Sequence, residues 1–356
     1  MKIFITGGAG FIGSALIRHI LNHTSYEVLN YDALKYSGNL NSLVSVQDSN
    51  RYSFVHGDIC DYDFLKDSIF AFQPDGIIHL AAESHVDRSI DDPSPFIQTN
   101  ILGTYNLLDI SSKYIQSLNQ NKKQKFTFHH VSTDEVYGDL HPSEPPCDEN
   151  HFYDPSSPYS ASKASSDHLV QSWNKTFNFP SIITNCSNNY GPFHFPEKLI
   201  PTIILNAVHG KNIPIYGNGQ QVRDWIYVDD HAKGLLLAFE NGDHGQTYNI
   251  GASNEIKNID IAYKICELLD EMNISPTSSF KTHKDLITFV TDRPGHDQRY
   301  AIDSSKIQTH LNWRPDESFE SGLRKTVQWY LNNKSWWDPI LNKDFSLTRI
   351  GIGSSK

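Results

Sequence analysis

Cysteine is scarce in this chain: four in 356 residues, Cys60, Cys147, Cys186 and Cys266, with no paired spacing. That pattern excludes a disulfide framework, and with it a clustered zinc site, as the organising element. Long apolar runs are missing too. Leu235-Leu236-Leu237-Ala238-Phe239 falls far short of the roughly 20 residues that cross a bilayer, so no membrane association is expected. The opening Met1-Lys2-Ile3-Phe4-Ile5-Thr6-Gly7 enters a glycine turn too early for a signal peptide. No basic stripe appears, and 30 Lys+Arg against 41 Asp+Glu give a formal net charge of −11; nucleic acid is not an expected partner. Internal repeats and low-complexity tracts are also absent. With 38% hydrophobic and 12% aromatic residues the chain has ample material for a core. The expectation is a cytoplasmic, mildly acidic globular protein of about two domains.

The first half alternates short β-branched or aromatic runs with helical stretches. Strands are expected at 2–6, 27–31, 53–56, 76–80, 126–132 and 181–185, with helices among them at 13–21, 99–114 and 160–176. Strands that alternate with helices make an α/β, doubly wound parallel sheet, whose ligands bind beyond the carboxyl ends of the strands. After about Asn189 proline, glycine and aromatics become frequent, as in Tyr190-Gly191-Pro192-Phe193, and a smaller α/β domain is expected. A strand at 247–250 and a helix at 259–271 suggest that the two domains interleave. The expected division is 1–188, with a return near 225–252, for the first domain. Residues 189–224 and 253–330 then form the second, and 331–356 a tail whose last residues, 351–356, fray. Trp336-Trp337 has no assigned place.

The first strand runs into Thr6-Gly7-Gly8-Ala9-Gly10-Phe11-Ile12-Gly13, then a helix. Gly7, Gly10 and Gly13 allow a tight turn and a close backbone approach to a pyrophosphate at a helix N-terminus. Asp32 ends the next strand, about 20 residues on, where a carboxylate accepts hydrogen bonds from ribose hydroxyls. It also repels a 2′-phosphate, which selects NAD over NADP. Asp58-Ile59, at the end of the third strand, could face the adenine, or Asp58 could cap the next helix.

Tyr159 and Lys163 stand four residues apart in Ser157-Pro158-Tyr159-Ser160-Ala161-Ser162-Lys163, on one face of a helix. A nearby ammonium lowers a phenol's pKa, so the tyrosinate can act as a base on an alcohol undergoing oxidation. Joined to the glycine turn and Asp32, this pair resembles the extended short-chain dehydrogenase/reductase superfamily, which is Rossmann-like and acts chiefly on nucleotide sugars. That resemblance makes Tyr159 and Lys163 the hydride-transfer pair and supplies Thr133 as the third member of a triad. Thr133 leads directly into Asp134-Glu135-Val136-Tyr137-Gly138. An elimination needs one group to take a proton from carbon and another to protonate the departing hydroxyl; Glu135 and Asp134 form such a pair.

Together with Asn188-Asn189-Tyr190-Gly191-Pro192, Pro196-Glu197-Lys198-Leu199-Ile200-Pro201, Arg223-Asp224-Trp225 and Asp292-Arg293-Pro294-Gly295-His296-Asp297, these motifs resemble the dTDP-glucose 4,6-dehydratase family from Lys2 to about Tyr330. The resemblance implies an NAD-dependent hydro-lyase in deoxysugar (rhamnose-type) precursor synthesis, with Tyr159 as the base at O4, Glu135 at C5, and Asp134 as the acid at O6. It implies further cofactor contacts from Phe11, Ile12, Lys35, Leu80, Ala81, Ala82, Thr99 and Asn188. Substrate contacts would come from Ser84, Thr133, Asn189, Lys198, Leu199, Pro214, Tyr216, Arg223, Asn258, Arg293, His296 and Tyr300. Lys198, Arg223 and Arg293 suit a diphosphate, since an arginine fork can bind two oxygens. The family also implies a homodimer that pairs helices near 99–114 and 160–176. A dehydratase of UDP- or CDP-glucose, a nucleotide-sugar 4-epimerase and a non-catalytic NAD-binding protein are the alternatives. His129-His130 reads as structural. The sequons at Asn22, Asn174 and Asn185 read as chance.

Overall fold

The computed structural model describes residues 1–276 and 281–343, so the end expected to fray, 351–356, lies outside the described residues. Its strands are β1 (Lys2–Thr6), β2 (Glu27–Asp32), β3 (Tyr52–His56), β4 (Gly76–His79), β5 (Thr127–Thr133), β6 (Ser181–Cys186), β7 (Asn188–Tyr190), β8 (Ile213–Tyr216), β9 (Val222–Tyr227), β10 (Thr247–Ile250), β11 (Glu255–Lys257) and β12 (Ile287–Val290). Seven of them form a parallel sheet in the order β10-β6-β5-β4-β1-β2-β3. Helices cover both faces, which is why the central strands read as near-continuous buried runs. The chain winds outward from β1 in one direction and from β4 in the other. The switch between these neighbours opens a crevice at their carboxyl ends.

The six early strands form within a residue or two of the expected positions. The helix expected at 99–114 is not uniform: Ile97–Gly103 is a π-helical turn, and the α-helix proper is Thr104–Ser117. Gly103 explains part of this. A Cβ there would sit 2.5 Å from Ile59 Cδ1, so the helix approaches the loop after β3 at a distance only glycine permits. Asp58 is not the cap of the next helix. Asp61 takes that role, its side chain accepting from Phe64 N, while Asp58 Oδ1 accepts from Cys60 N at 2.9 Å.

Beyond β6 the chain builds a three-stranded sheet, β11-β9-β7, and a parallel pair, β12-β8. One core gathers the helix Leu199–Val208, the helix Asn258–Glu271 and the helix Phe319–Asn332 around Trp225 and Tyr190. A second core lies between the helix Phe11–His23 and the helix Val228–Asn241. Ile307 and Trp313, from the stretch expected in the second domain, pack into this other core. The tail also has a place. The helix Lys334–Lys343 buries Trp336 and Trp337, whose indole N–H groups donate to Ser42 Oγ at 3.2 Å and to Tyr330 O at 2.8 Å.

Candidate active site

The glycine turn is built by contact. Gly7 has φ +74°, and a Cβ on it would lie 2.6 Å from Ala81 N; a Cβ on Gly13 would lie 2.2 Å from Gly7 O. Strand, turn and helix therefore close on one another with no room for side chains. The helix Phe11–His23 has no side-chain cap and no acid in its first turn. Its free N–H groups face the crevice, and they fit an anionic pyrophosphate. Asp32 accepts from Ala9 N and Leu34 N, each at 2.8 Å, so its carboxylate ties the end of β2 to the glycine turn. Burial raises its pKa, and those two amides oppose the rise.

A cleft of about 350 Å³ runs on from this turn. Gly7, Gly10, Phe11, Ile12, Gly13, Asp32, Lys35, Asp58, Ile59, Leu80, Ala81, Ala82 and Thr99 line it at one end. At the other it is lined by Ser84, Thr133, Asp134, Glu135, Tyr159, Lys163, Asn188, Asn189, Lys198 and Leu199. Lys35 is held by carboxylates at 3.4 Å on either side, Asp58 and Glu83, and donates to Thr99 Oγ1 at 3.0 Å. Its charge is thereby matched within the protein.

Thr133 closes β5 and caps a short 3₁₀ turn, Asp134–Tyr137, its hydroxyl accepting from Glu135 N at 3.3 Å. That turn sets two adjacent carboxyls at the cleft, Asp134 buried and Glu135 half-buried. Asp134 is buried, and its Oδ2 has no hydrogen-bond partner. Burial, then the Glu135 charge, push the Asp134 carboxyl well above the carboxylate range. Burial also raises Glu135, but Arg293, Lys198 and Arg223 oppose it. The pair therefore separates into a carboxyl that keeps its proton and a neighbour that gives its proton up more readily. Tyr159 and Lys163 lie on one face of the helix Pro158–Phe177, which opens with a Ser157/Ser160 capping box. Burial, with Glu135, raises the Tyr159 phenol, and a hydrogen bond with Thr133 opposes that. Lys163 Nζ donates to Val131 O at 2.9 Å, which fixes the ammonium beside the end of β5.

Residues 4–326 match the family model described as GDP-mannose 4,6 dehydratase. The chain is 59% identical to dTDP-glucose 4,6-dehydratase of Shigella flexneri, over 96% of its own length and 95% of the other's. It is 55% identical to the Escherichia coli protein of that name, over 99% of each. The chain belongs to the dTDP-glucose 4,6-dehydratase family. A solved dTDP-glucose 4,6-dehydratase of Bacillus anthracis, in complex with NAD, superposes with a TM-score of 0.84 at 41% identity, covering 96% of this chain and 99% of that one.

Seven expected substrate residues of this dehydratase-family chain lie outside the lining of the cleft: Pro214, Tyr216, Arg223, Asn258, Arg293, His296 and Tyr300. They sit on the second unit. Tyr216 OH donates to Asp87 Oδ2 at 3.1 Å, and Arg293 Nε stands 3.5 Å from Asp87 Oδ1. Arg293 Nη1 is buried without a hydrogen-bond partner, a donor available to an anion. Arg223 stacks on Tyr300, 4.3 Å above the ring, and donates to Val222 O and Asp297 O at 2.7 and 2.8 Å. His296 Nδ1 is 2.6 Å from Asp292 Oδ1. Asn258 opens the helix Asn258–Glu271, and its buried Oδ1 has no hydrogen-bond partner. Pro214 sits in β8, opposite Thr288.

The sequence reading missed Trp225, His194 and Glu197, all on the cleft wall, and Asp87. Trp225 was findable: alternation along β9 puts it on the same face as Arg223, and its buried Nε1 has no partner. Asp87 carried no local signal. Only the fold brings it to Tyr216 and Arg293.

Proposed function

We propose that this chain dehydrates dTDP-glucose to dTDP-4-keto-6-deoxyglucose, a deoxysugar precursor of the rhamnose type. One observation carries the reading: two adjacent carboxyls, Asp134 buried and Glu135 half-buried, line the same cleft as Tyr159 and Lys163. An epimerase has no need of that pair. The names of relatives more than half identical to this chain support the thymidine nucleotide over uridine and cytidine.

The glycine turn, the uncapped helix Phe11–His23 and Asp32 would hold NAD. When bound, NAD supplies a hydride acceptor for C4 and a hydride donor for C6. Tyr159 takes the proton of the 4-hydroxyl, with Lys163 as the cation on its face of the helix and Thr133 orienting the phenol. The resulting 4-ketone acidifies the C5 proton, which Glu135 removes. Asp134 gives its proton to the C6 hydroxyl as water leaves. Arg293, Lys198 and Arg223 would balance the diphosphate; the same three charges already act on Glu135. Residues 1–188, with the return near 225–252, would serve the cofactor. Residues 189–224 and 253–330 would serve the nucleotide sugar.

No helix among the described residues is long and apolar enough to cross a membrane, and a cytoplasmic homodimer fits the chain. The test is to incubate purified protein separately with dTDP-glucose and UDP-glucose and to measure 4-keto product. Product from dTDP-glucose at a clearly higher rate is expected. Equal or reversed rates would refute the base assignment, since one methyl contributes about 1–3 kcal/mol. No 4-keto product from either would refute the dehydratase.

A further inference from the structure

Asp167 is a fully buried carboxylate that the proposed chemistry does not use. It lies one helical turn beyond Lys163, on the same face of the helix Pro158–Phe177. Burying a charge unpaired costs several kcal/mol, yet here the side chain is surrounded by donors. Ser132 Oγ donates to Oδ2 at 2.8 Å, Tyr153 OH donates to Oδ2 at 3.0 Å, and His130 Nε2 stands 3.0 Å from Oδ1. Burial raises the Asp167 pKa to about 6, while Lys163 and the hydrogen bonds from Ser132 and Tyr153 oppose the rise, so the group is ionised near pH 8.

His130 touches both charges, since its Nε2 is also 3.4 Å from Lys163 Nζ. Burial drives the imidazole well below its usual range, so it is neutral. A carboxylate only accepts, so Nε2 carries the proton and points it at Asp167, and the orphaned Nδ1 is bare. Nε2 therefore has no acceptor left for the Lys163 ammonium, and neutral His130 stands beside both groups without adding a charge.

Cys186 and His79 add none either. From β6, Cys186 faces Lys163, and burial pushes its thiol up, so it stays protonated. From β4, His79 is buried and held neutral. Tyr137 and His168 face Asp167 with weaker influence, and Asn185 donates to Tyr153 OH at 3.3 Å. Burial depresses the Lys163 pKa, and Asp167 is the chief charge opposing it.

We propose that Asp167, one helical turn from Lys163 and beside the same neutral His130, is the counter-ion that keeps Lys163 protonated, and so a positioning residue for the base Tyr159. This deepens the dehydratase reading and rests on it for its purpose, but the decisive measurement needs no turnover. Holoenzyme is labelled with lysine carrying ¹³C at Cε, and the Lys163 signal is assigned by its loss in Lys163→Met. The midpoint of its titration is then read in the unaltered chain, in Asp167→Asn and in Asp167→Glu. Asp167→Asn is expected to lower the midpoint by about one pH unit or more, and Asp167→Glu to restore most of it. In turnover near pH 8, Asp167→Asn lowers kcat about 10-fold or more with KM within about twofold, because the phenol loses its cation while the sugar pocket is intact.

An unmoved or raised midpoint in Asp167→Asn overturns the proposal, whatever happens to activity. If Asp167→Asn does not fold, the unaltered chain decides. A charged Lys163 near pH 8 supports the counter-ion, and a neutral amine there overturns it. Failure of the dehydratase reading looks different: the unaltered chain would make no 4-keto sugar, and the Lys163 titration would stand unchanged.

Discussion

At the scale of single residues, the proposed elimination turns on two neighbours, Asp134 and Glu135, with burial raising the first further. Glu135→Gln keeps the shape of the side chain but cannot accept the C5 proton. Oxidation at C4 depends on Tyr159, Lys163 and cofactor, so it survives, and elimination stalls. Absorbance in the reduced-nicotinamide band should therefore build up after substrate is added, with product formation lower by about 10²–10⁴. Tyr159→Phe should show no such band. Normal turnover in Glu135→Gln would remove the role assigned to it. The same pair sets a pH dependence. The working form has Glu135 ionised and Asp134 protonated, and burial raises both pKa values, Asp134 further. Lowering the pH protonates Glu135, and raising it strips Asp134, so kcat should fall on both sides of a maximum. The two limbs belong to the coupled pair rather than to either residue. A profile flat across the range from acid to alkaline would contradict this assignment.

At the scale of elements, legibility followed the range of the forces involved. The glycine turn, the early strands and the helix carrying Tyr159 were readable because apolar period, turn glycines and the Ser157 cap are all local. The π-helical turn at Ile97–Gly103 was not, since it answers to the contact between Gly103 and Ile59, distant in sequence. Nor were β7 and β11, three residues each, which exist only as partners of β9. The same division runs through the site. Thr133, Asp134 and Glu135 announced themselves as a motif, whereas Asp87 gained its place from Tyr216 and Arg293. Ser157 tests the local side of this division. Its Oγ accepts from Ser160 N at 3.1 Å, and Ser160 Oγ accepts from Ser157 N at 3.0 Å. Ser157→Ala leaves the Ser160 amide without its acceptor, and should lower stability by about 1 kcal/mol in denaturant unfolding. Because Tyr159 and Lys163 sit in the first two turns, kcat should fall more than KM rises. A variant equal to the parent in both measures would mean that tertiary packing alone holds this helix end.

At the scale of the whole molecule, most large apolar side chains among the described residues are buried in the cores, and four of the eleven exposed ones gather on one face. Ile97 is 44% exposed, Leu102 45%, Tyr105 43% and Phe177 63%. Leu102 and Tyr105 come from one of the two helical stretches expected to pair across a dimer axis, 99–114, while Ile97 lies just before it and Phe177 just after the other, 160–176. Trp173 bridges them, edge-to-face with Tyr105 at 6.1 Å between ring centres and with Phe177 at 5.6 Å. Apolar side chains gathered on adjoining helices suit a surface that is covered in use, and in the homodimer proposed above a second copy would cover it by a two-fold axis with like facing like. Leu102 and Tyr105 lie within one turn of each other, so the pair Leu102→Glu and Tyr105→Glu places like charges on that face. Each would be buried against its own image, where desolvation is costly. Sedimentation should show a dimer for the parent at micromolar concentration and a monomer for the double variant. The helix Pro158–Phe177 carries Tyr159 and Lys163 at one end and Phe177 at the other. Loss of the dimer should therefore lower kcat as well as mass. A parent chain that sediments as a monomer would leave these four side chains without a partner and the homodimer without support.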